Sequence, residues 1–93
     1  KKINADNPNH PDIATSLNNI GYIIYKSGKD IEKALEYFEK SFKIRKIAHA
    51  DNPNHPNIAQ SLNNIGNVYY NKGDYNKALE YYQKSYEIRK IAY

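Results

Sequence analysis

Residues 51–66 read DNPNHPNIAQSLNNIG and repeat residues 6–21, which read DNPNHPDIATSLNNIG. Two shorter segments also return, ALEY at residues 34–37 and 78–81 and IRKIA at residues 44–48 and 88–92. Self-similarity with a period of about 20–50 residues is typical of chains built from stacked supersecondary units. The repetition therefore predicts an open solenoid, in which an extended surface is available for binding.

The two copies differ in length by one residue. Asp6 and Asp51 are 45 positions apart, whereas Ala34 and Ala78 are 44 positions apart. The extra residue of the first copy falls within residues 29–33, between two helical patterns. We expect it to change a turn and to leave the core pattern intact.

The apolar residues of each copy recur at steps of three and four, which is the period of a helix with one buried stripe. The first stripes are Ile13, Leu17, Ile20 and Ile24 in one copy and Ile58, Leu62, Ile65 and Tyr69 in the other. Pro11 and Pro56 suit a first helical turn, and Gly28 and Gly73 suit the position just past a helix end. A second helix with its own stripe follows each glycine.

These boundaries divide the chain into two helix-turn-helix units. We expect no strand and four antiparallel helices, near residues 11–27, 30–49, 56–72 and 74–93. The helices form two repeats, at residues 6–50 and 51–93, and residues 1–5 match the tail of a preceding repeat's second helix. The chain is therefore interpreted as a slice of a longer array or as an engineered array.

The second copy carries a spaced run of large, small and aromatic residues: Leu62, Ile65, Gly66, Tyr69, Gly73, Tyr75, Ala78, Tyr82 and Ser85. This run resembles the tetratricopeptide repeat, and residues 55–59, HPNIA, are similar to the kinesin-light-chain subtype, here with a repeat of about 44 residues. The resemblance implies an all-α fold of antiparallel helix pairs stacked as a right-handed α-solenoid. It also implies a non-enzymatic protein-interaction scaffold, which we expect to be intracellular and cytoplasmic.

The chain departs from the family pattern at two places in each repeat. Leu17 and Leu62 stand where the family usually has Trp, and Lys46 and Lys90 stand where a proline normally closes the second helix. We expect the second helices to run on for about another turn, because that proline is missing. This extension accounts for a repeat longer than the common period of about 34 residues.

The composition argues against several classes of function. The chain has 93 residues, no Cys and a net charge of +4, but Lys alternates with Glu at helical spacing, as in Glu36 with Lys40 and Glu39 with Lys43. Such pairs are typical of a solvated helix face, so nucleic-acid binding is not expected. No apolar run approaches the ~20 residues that span a bilayer, and we expect no membrane association.

Catalytic and metal-binding constellations are not evident in the sequence. His10 and His55 occupy the same linker position in successive repeats, and a metal or catalytic site needs His grouped with other ligands or carboxylates. We therefore interpret His10 and His55 as turn residues at a helix start. With no nucleophile beside a base and no Gly-rich phosphate loop, we expect no enzyme activity, no cofactor and no metal.

A polar and aromatic face of the first helices is the candidate binding site. At 100° per residue, this face carries Thr15, Asn18, Tyr22, Tyr25 and Lys26 in the first repeat and Gln60, Asn63, Asn67, Tyr70 and Asn71 in the second. In the family that the chain resembles, this face lines the concave groove. Asn offers a donor and an acceptor to a peptide unit, and Tyr adds rigid contact area with a polar tip. We predict an extended peptide held by Asn18, Tyr22, Tyr25, Gln60, Asn63, Asn67, Tyr70 and Asn71.

Other interpretations stay open. Asn is also abundant in proteins from AT-rich genomes, where it serves solubility alone. The chain is alternatively a structural spacer or a self-associating array, because two repeats leave uncapped apolar ends. Such an array would stack end to end or exchange a helix pair through the turn at residues 28–33. Recognition of a C-terminal carboxylate is not indicated, since Lys26 is the single cation near the face.

Overall fold

The computed structural model describes residues 8–92, which form four α-helices: α1 (Pro11–Ser27), α2 (Ile31–Ala48), α3 (Pro56–Asn71) and α4 (Tyr75–Ala92). These residues contain no strand, which confirms the predicted all-α solenoid fold. The predicted helical tail at residues 1–5 lies outside the described residues, as does residue 93. No helix of the described part is long and apolar enough to cross a membrane.

A histidine side chain caps the first helix of each repeat, α1 and α3. His10 Nδ1 accepts a hydrogen bond from the Asp12 N–H at 3.0 Å, and His55 Nδ1 accepts one from the Asn57 N–H at 3.0 Å. Each bond satisfies an N–H that lacks a partner within its helix. The interpretation of these two histidines as residues of a helix start is therefore confirmed.

His49 lies at the other end of a helix, as the residue that closes α2, close to the predicted end of that helix. Its ring stacks on that of His55, with centroids 3.7 Å apart. Burial, followed by the neighbouring His55, lowers the pKa of His49. A neutral ring suits this position, because two stacked imidazolium ions would repel each other.

An aspartate caps the start of each second helix, and a glycine lies in the turn before it. Asp30 Oδ1 accepts from the Lys33 N–H at 3.0 Å and Asp74 Oδ1 accepts from the Lys77 N–H at 3.2 Å. Because each aspartate caps its helix, α2 and α4 begin one residue later than the sequence analysis placed them. The preceding turns contain Gly28 and Gly73, whose φ angles of 71° and 84° are left-handed.

The same hydrogen bond joins the two helices of each repeat. Ser41 Oγ donates to the Ala14 carbonyl oxygen at 2.8 Å, and Ser85 Oγ donates to the Ala59 carbonyl oxygen at 3.0 Å. Both serines are buried, so these bonds form where the helices approach closely. A Cβ added to Gly21 would lie 2.9 Å from the ring of Phe38. Glycine at this position therefore allows α1 and α2 to pack closely.

A core cluster of buried residues lies where the first repeat stacks on the second. It consists of Ala34 and Phe38 from α2 and Ile65 and Val68 from α3, each no more than 1% exposed. The helices form a flat slab with principal extents of 41 × 33 × 15 Å. This stacking places α1 and α3 in contact, which positions the candidate groove.

Candidate peptide-binding groove

The eight predicted groove residues lie on α1 and α3, but their exposure differs widely. Tyr22 and Tyr70 are 47% and 58% exposed. Gln60 and Asn71 are also exposed, whereas Tyr25, Asn63 and Asn67 are half-buried. Asn18 is only 6% exposed. The structure thus gives the face four exposed side chains, and the remaining four are half-buried or buried.

Asn18 is not the solvent-facing side chain that its helical position indicated. Its Oδ1 accepts a hydrogen bond from Asn64 Nδ2 at 3.0 Å, so the amide connects α1 to α3. The helical phase of α1 alone places Asn18 on the outer face, but the neighbouring α3 covers it. Asn64 was not among the predicted groove residues, although its recurrence as Asn19 in the LNNIG motif indicates a structural role.

Two further amides of the face are oriented by residues of the second helices. Gln60 Oε1 accepts from Arg45 Nη1 at 3.0 Å, and Asn67 Oδ1 accepts from the Tyr82 hydroxyl. Burial raises the pKa of Tyr82, so the hydroxyl keeps the proton that it donates. These bonds occupy the amide oxygens and direct the NH₂ groups away from Arg45 and Tyr82.

Some aromatic residues of the face pack against the core, and others are exposed to solvent. Tyr25 packs against the buried Phe38 ring, with centroids 6.4 Å apart, so part of its surface belongs to the core. Tyr70 instead forms an exposed pair with Tyr75, whose ring centroid lies 5.3 Å away. Tyr75 was not among the predicted groove residues, because the helical phase of α3 does not show which side chains of α4 lie beside Tyr70.

Lys26 lies close to the exposed ring of Tyr22 on α1. Its Nζ lies 5.9 Å from the centroid of the Tyr22 ring, a distance at which the ammonium group is attracted to the ring face. The groove therefore presents tyrosine rings, amides and one lysine. Among residues 8–92, no group of three or more His, Cys, Asp or Glu side chains could hold a metal ion.

Asn18 and Asn63 occupy the same position in successive repeats, and they supply a matched pair of variants. We expect Asn18→Ala to lower the free energy of unfolding by about 1 kcal/mol, because it leaves the partly buried Asn64 amide without its acceptor. Asn63→Ala should change it by less than about 0.5 kcal/mol. Urea unfolding of both variants measures the difference, and equal effects would contradict the bridging role of Asn18.

Comparison with known protein families agrees with this architecture. Residues 13–57 match one family model described as tetratricopeptide repeat, and residues 47–91 match a second model with the same description. No curated protein matches the chain. The two matched segments together include almost all of the four helices, and tetratricopeptide repeats are in general non-enzymatic modules that bind other proteins. The chain therefore belongs to the tetratricopeptide repeat family.

Proposed function

We propose that the chain is a protein-interaction scaffold that binds an extended peptide segment along the exposed face of α1 and α3. The observation that carries this proposal is that Tyr22 and Tyr70 are 47% and 58% exposed on the predicted face, where their rings are accessible to a partner. Each tyrosine offers rigid contact area at a small cost in side-chain entropy. We further propose that the repeat is of the extended kinesin-light-chain-like type.

Amide side chains of the same predicted face provide the polar part of the proposed site. Asn63 is half-buried and Asn71 exposed, so both amides can reach a bound main chain. An asparagine can accept from a peptide N–H and donate to a peptide C=O, which gives affinity with little dependence on sequence. The Asn18–Asn64 hydrogen bond supports the site by fixing α1 relative to α3, since a pre-formed groove loses less entropy on binding.

A peptide selected from a phage-displayed random library provides the test. Its affinity for the chain is measured by fluorescence anisotropy, and we expect the triple variant Asn63→Ala, Tyr70→Ala, Asn71→Ala to bind at least about tenfold more weakly. The control carries Lys40→Glu and Lys43→Glu on the exposed side of α2 and should retain binding. Full binding by the triple variant together with loss in the control would contradict the groove.

Self-association of the array is a second candidate function, and a difference in burial between equivalent residues favours it. Ile65 and Val68 of α3 are 1% and 0% exposed, whereas their α1 counterparts Ile20 and Ile23 are 44% and 66% exposed. The first repeat thus presents to solvent the apolar face with which the second repeat packs. Sedimentation from low to high micromolar concentration tests this candidate, and a monomer throughout would refute it.

A further inference from the structure

A buried arginine connects the two repeats at the α2–α3 junction. Arg45 is 3% exposed, and its Nη1 donates to the Asn57 carbonyl oxygen at 3.1 Å, to Gln60 Oε1 at 3.0 Å and to Ser61 Oγ at 3.0 Å. A buried guanidinium is costly unless its hydrogen bonds are formed. The three acceptors therefore make the junction selective for a partner helix with this pattern.

The repetition duplicates both halves of this junction. Arg89 of α4 is the counterpart of Arg45, since both stand in an IRKIA segment. On α1, Thr15 and Ser16 are the counterparts of Gln60 and Ser61. Arg89, Thr15 and Ser16 are exposed, so the donor lies at one end of the stack and its matching acceptors lie at the other.

The asparagine bridge is duplicated in the same way. Internally, Asn64 donates to Asn18 across the two repeats. Asn19 is the counterpart of the donor Asn64, and Asn63 is the counterpart of the acceptor Asn18. Asn19 is exposed and Asn63 is half-buried. Each end of the stack thus also carries one half of an asparagine pair.

Apolar residues complete the match between the two ends. Leu35 and Phe42 of α2 pack against the core cluster at the internal junction, and their α4 counterparts Leu79 and Tyr86 are 55% and 61% exposed. The surface that would receive them is the apolar face of α1 that contains the exposed Ile20 and Ile23. The arginine contacts, the asparagine pair and the apolar residues of the two ends therefore all match in the same alignment of α1 against α4.

We propose that a second copy of this chain docks its α1 against α4 of the first copy, in the register of the internal α2–α3 junction. In this register Arg89 of the first copy donates to Thr15 and Ser16 of the second, and Asn19 of the second copy donates to Asn63 of the first. The contact joins two different surfaces, so successive copies extend an open superhelical array and do not close into a dimer. This inference rests on the proposed self-association and specifies its geometry.

Two variants that each block one face test the head-to-tail contact. The α1-blocked variant carries Ile20→Glu and Ile23→Glu, and the α4-blocked variant carries Leu79→Glu and Tyr86→Glu; all four side chains are exposed in the single chain. Circular dichroism confirms that both remain folded. By sedimentation velocity, the unmodified chain should form oligomers whose size increases with concentration. Each variant alone should stay monomeric. An equimolar mixture of the two variants should form a 1:1 dimer and nothing larger.

Engineered cysteines test the register, since the chain has no Cys of its own. Asn63→Cys is added to the α1-blocked variant and Asn19→Cys to the α4-blocked variant, and a short bismaleimide is applied to the mixture. We expect a cross-linked dimer. The matched control is a single chain with Asn18→Cys and Asn64→Cys, whose internal cross-link shows that the bismaleimide spans this bridge.

The outcomes distinguish the proposed self-association from the proposed head-to-tail contact. A chain that stays monomeric at every concentration refutes both self-association and this contact. Oligomers of the unmodified chain without a dimer in the mixture overturn the contact and leave self-association standing. Dimerisation of either blocked variant alone also overturns it, because that result indicates a symmetric interface or helix exchange. A dimer that resists cross-linking, while the internal control reacts, refutes the register.

Discussion

Phe38→Ala is expected to lower the free energy of unfolding by about 3–5 kcal/mol, the range for deletion of a fully buried aromatic side chain. Phe38 is 1% exposed and belongs to the cluster that joins the two repeats. Its ring also fills the space above Gly21, so the deletion removes contacts within the first repeat and between the repeats. Because small domains have only about 5–15 kcal/mol in total, we expect partial or complete unfolding.

Urea unfolding followed by circular dichroism measures this loss, at a concentration low enough to avoid association. Ile23→Ala is the control, because Ile23 is 66% exposed and its truncation should cost less than about 0.5 kcal/mol. If the two substitutions cost the same, Phe38 does not occupy the core of the repeat junction.

Leucine at the close-approach alanines is expected to cost about 1–3 kcal/mol at either position, because extra atoms in a packed site force the helices apart. Ala34 is 0% exposed and Ala78 is 2% exposed. A larger side chain there has no open space to enter, whereas leucine normally stabilises a helix almost as well as alanine. The expected loss is therefore much larger than the small loss that helix propensity gives, and it is opposite in sign to an estimate from hydrophobicity.

Thermal unfolding of Ala34→Leu and Ala78→Leu checks this expectation. The matched control is Ala50→Leu, the same substitution at an exposed turn residue, which should leave the melting temperature nearly unchanged. Unchanged melting temperatures for both core variants would show that the helices of each repeat do not pair at these alanines.

Much of the fold follows from local sequence, because the signals act over a few residues. A stripe with helical spacing, a proline in the first turn and a glycine after the last turn together set the extent of α1. The Glu36–Lys40 pair forms at 3.5 Å across one turn of α2, as its spacing indicated. These features depend on residues within about four positions along the chain. They are therefore the same whichever tertiary structure surrounds the helix.

The candidate groove was only partly predictable. Helical phase correctly places Tyr22 and Tyr70 on exposed surface, because both residues lie away from the apolar stripe of their own helix. It did not reveal the Asn18–Asn64 bridge or the contact of Tyr70 with Tyr75. Both contacts join separate helices, and the periodicity of a single helix carries no information about the side chains that a neighbouring helix presents.

The sequence by itself determines the repeat, the four helices and the caps at their ends. Only the tertiary structure decides which copy of a duplicated residue is buried. Arg45 and Arg89 stand in identical IRKIA segments, but Arg45 is buried against the second repeat and Arg89 is exposed. The physical reason is that burial of a repeat's outer face depends on the unit stacked beside it, which identical local sequences cannot encode.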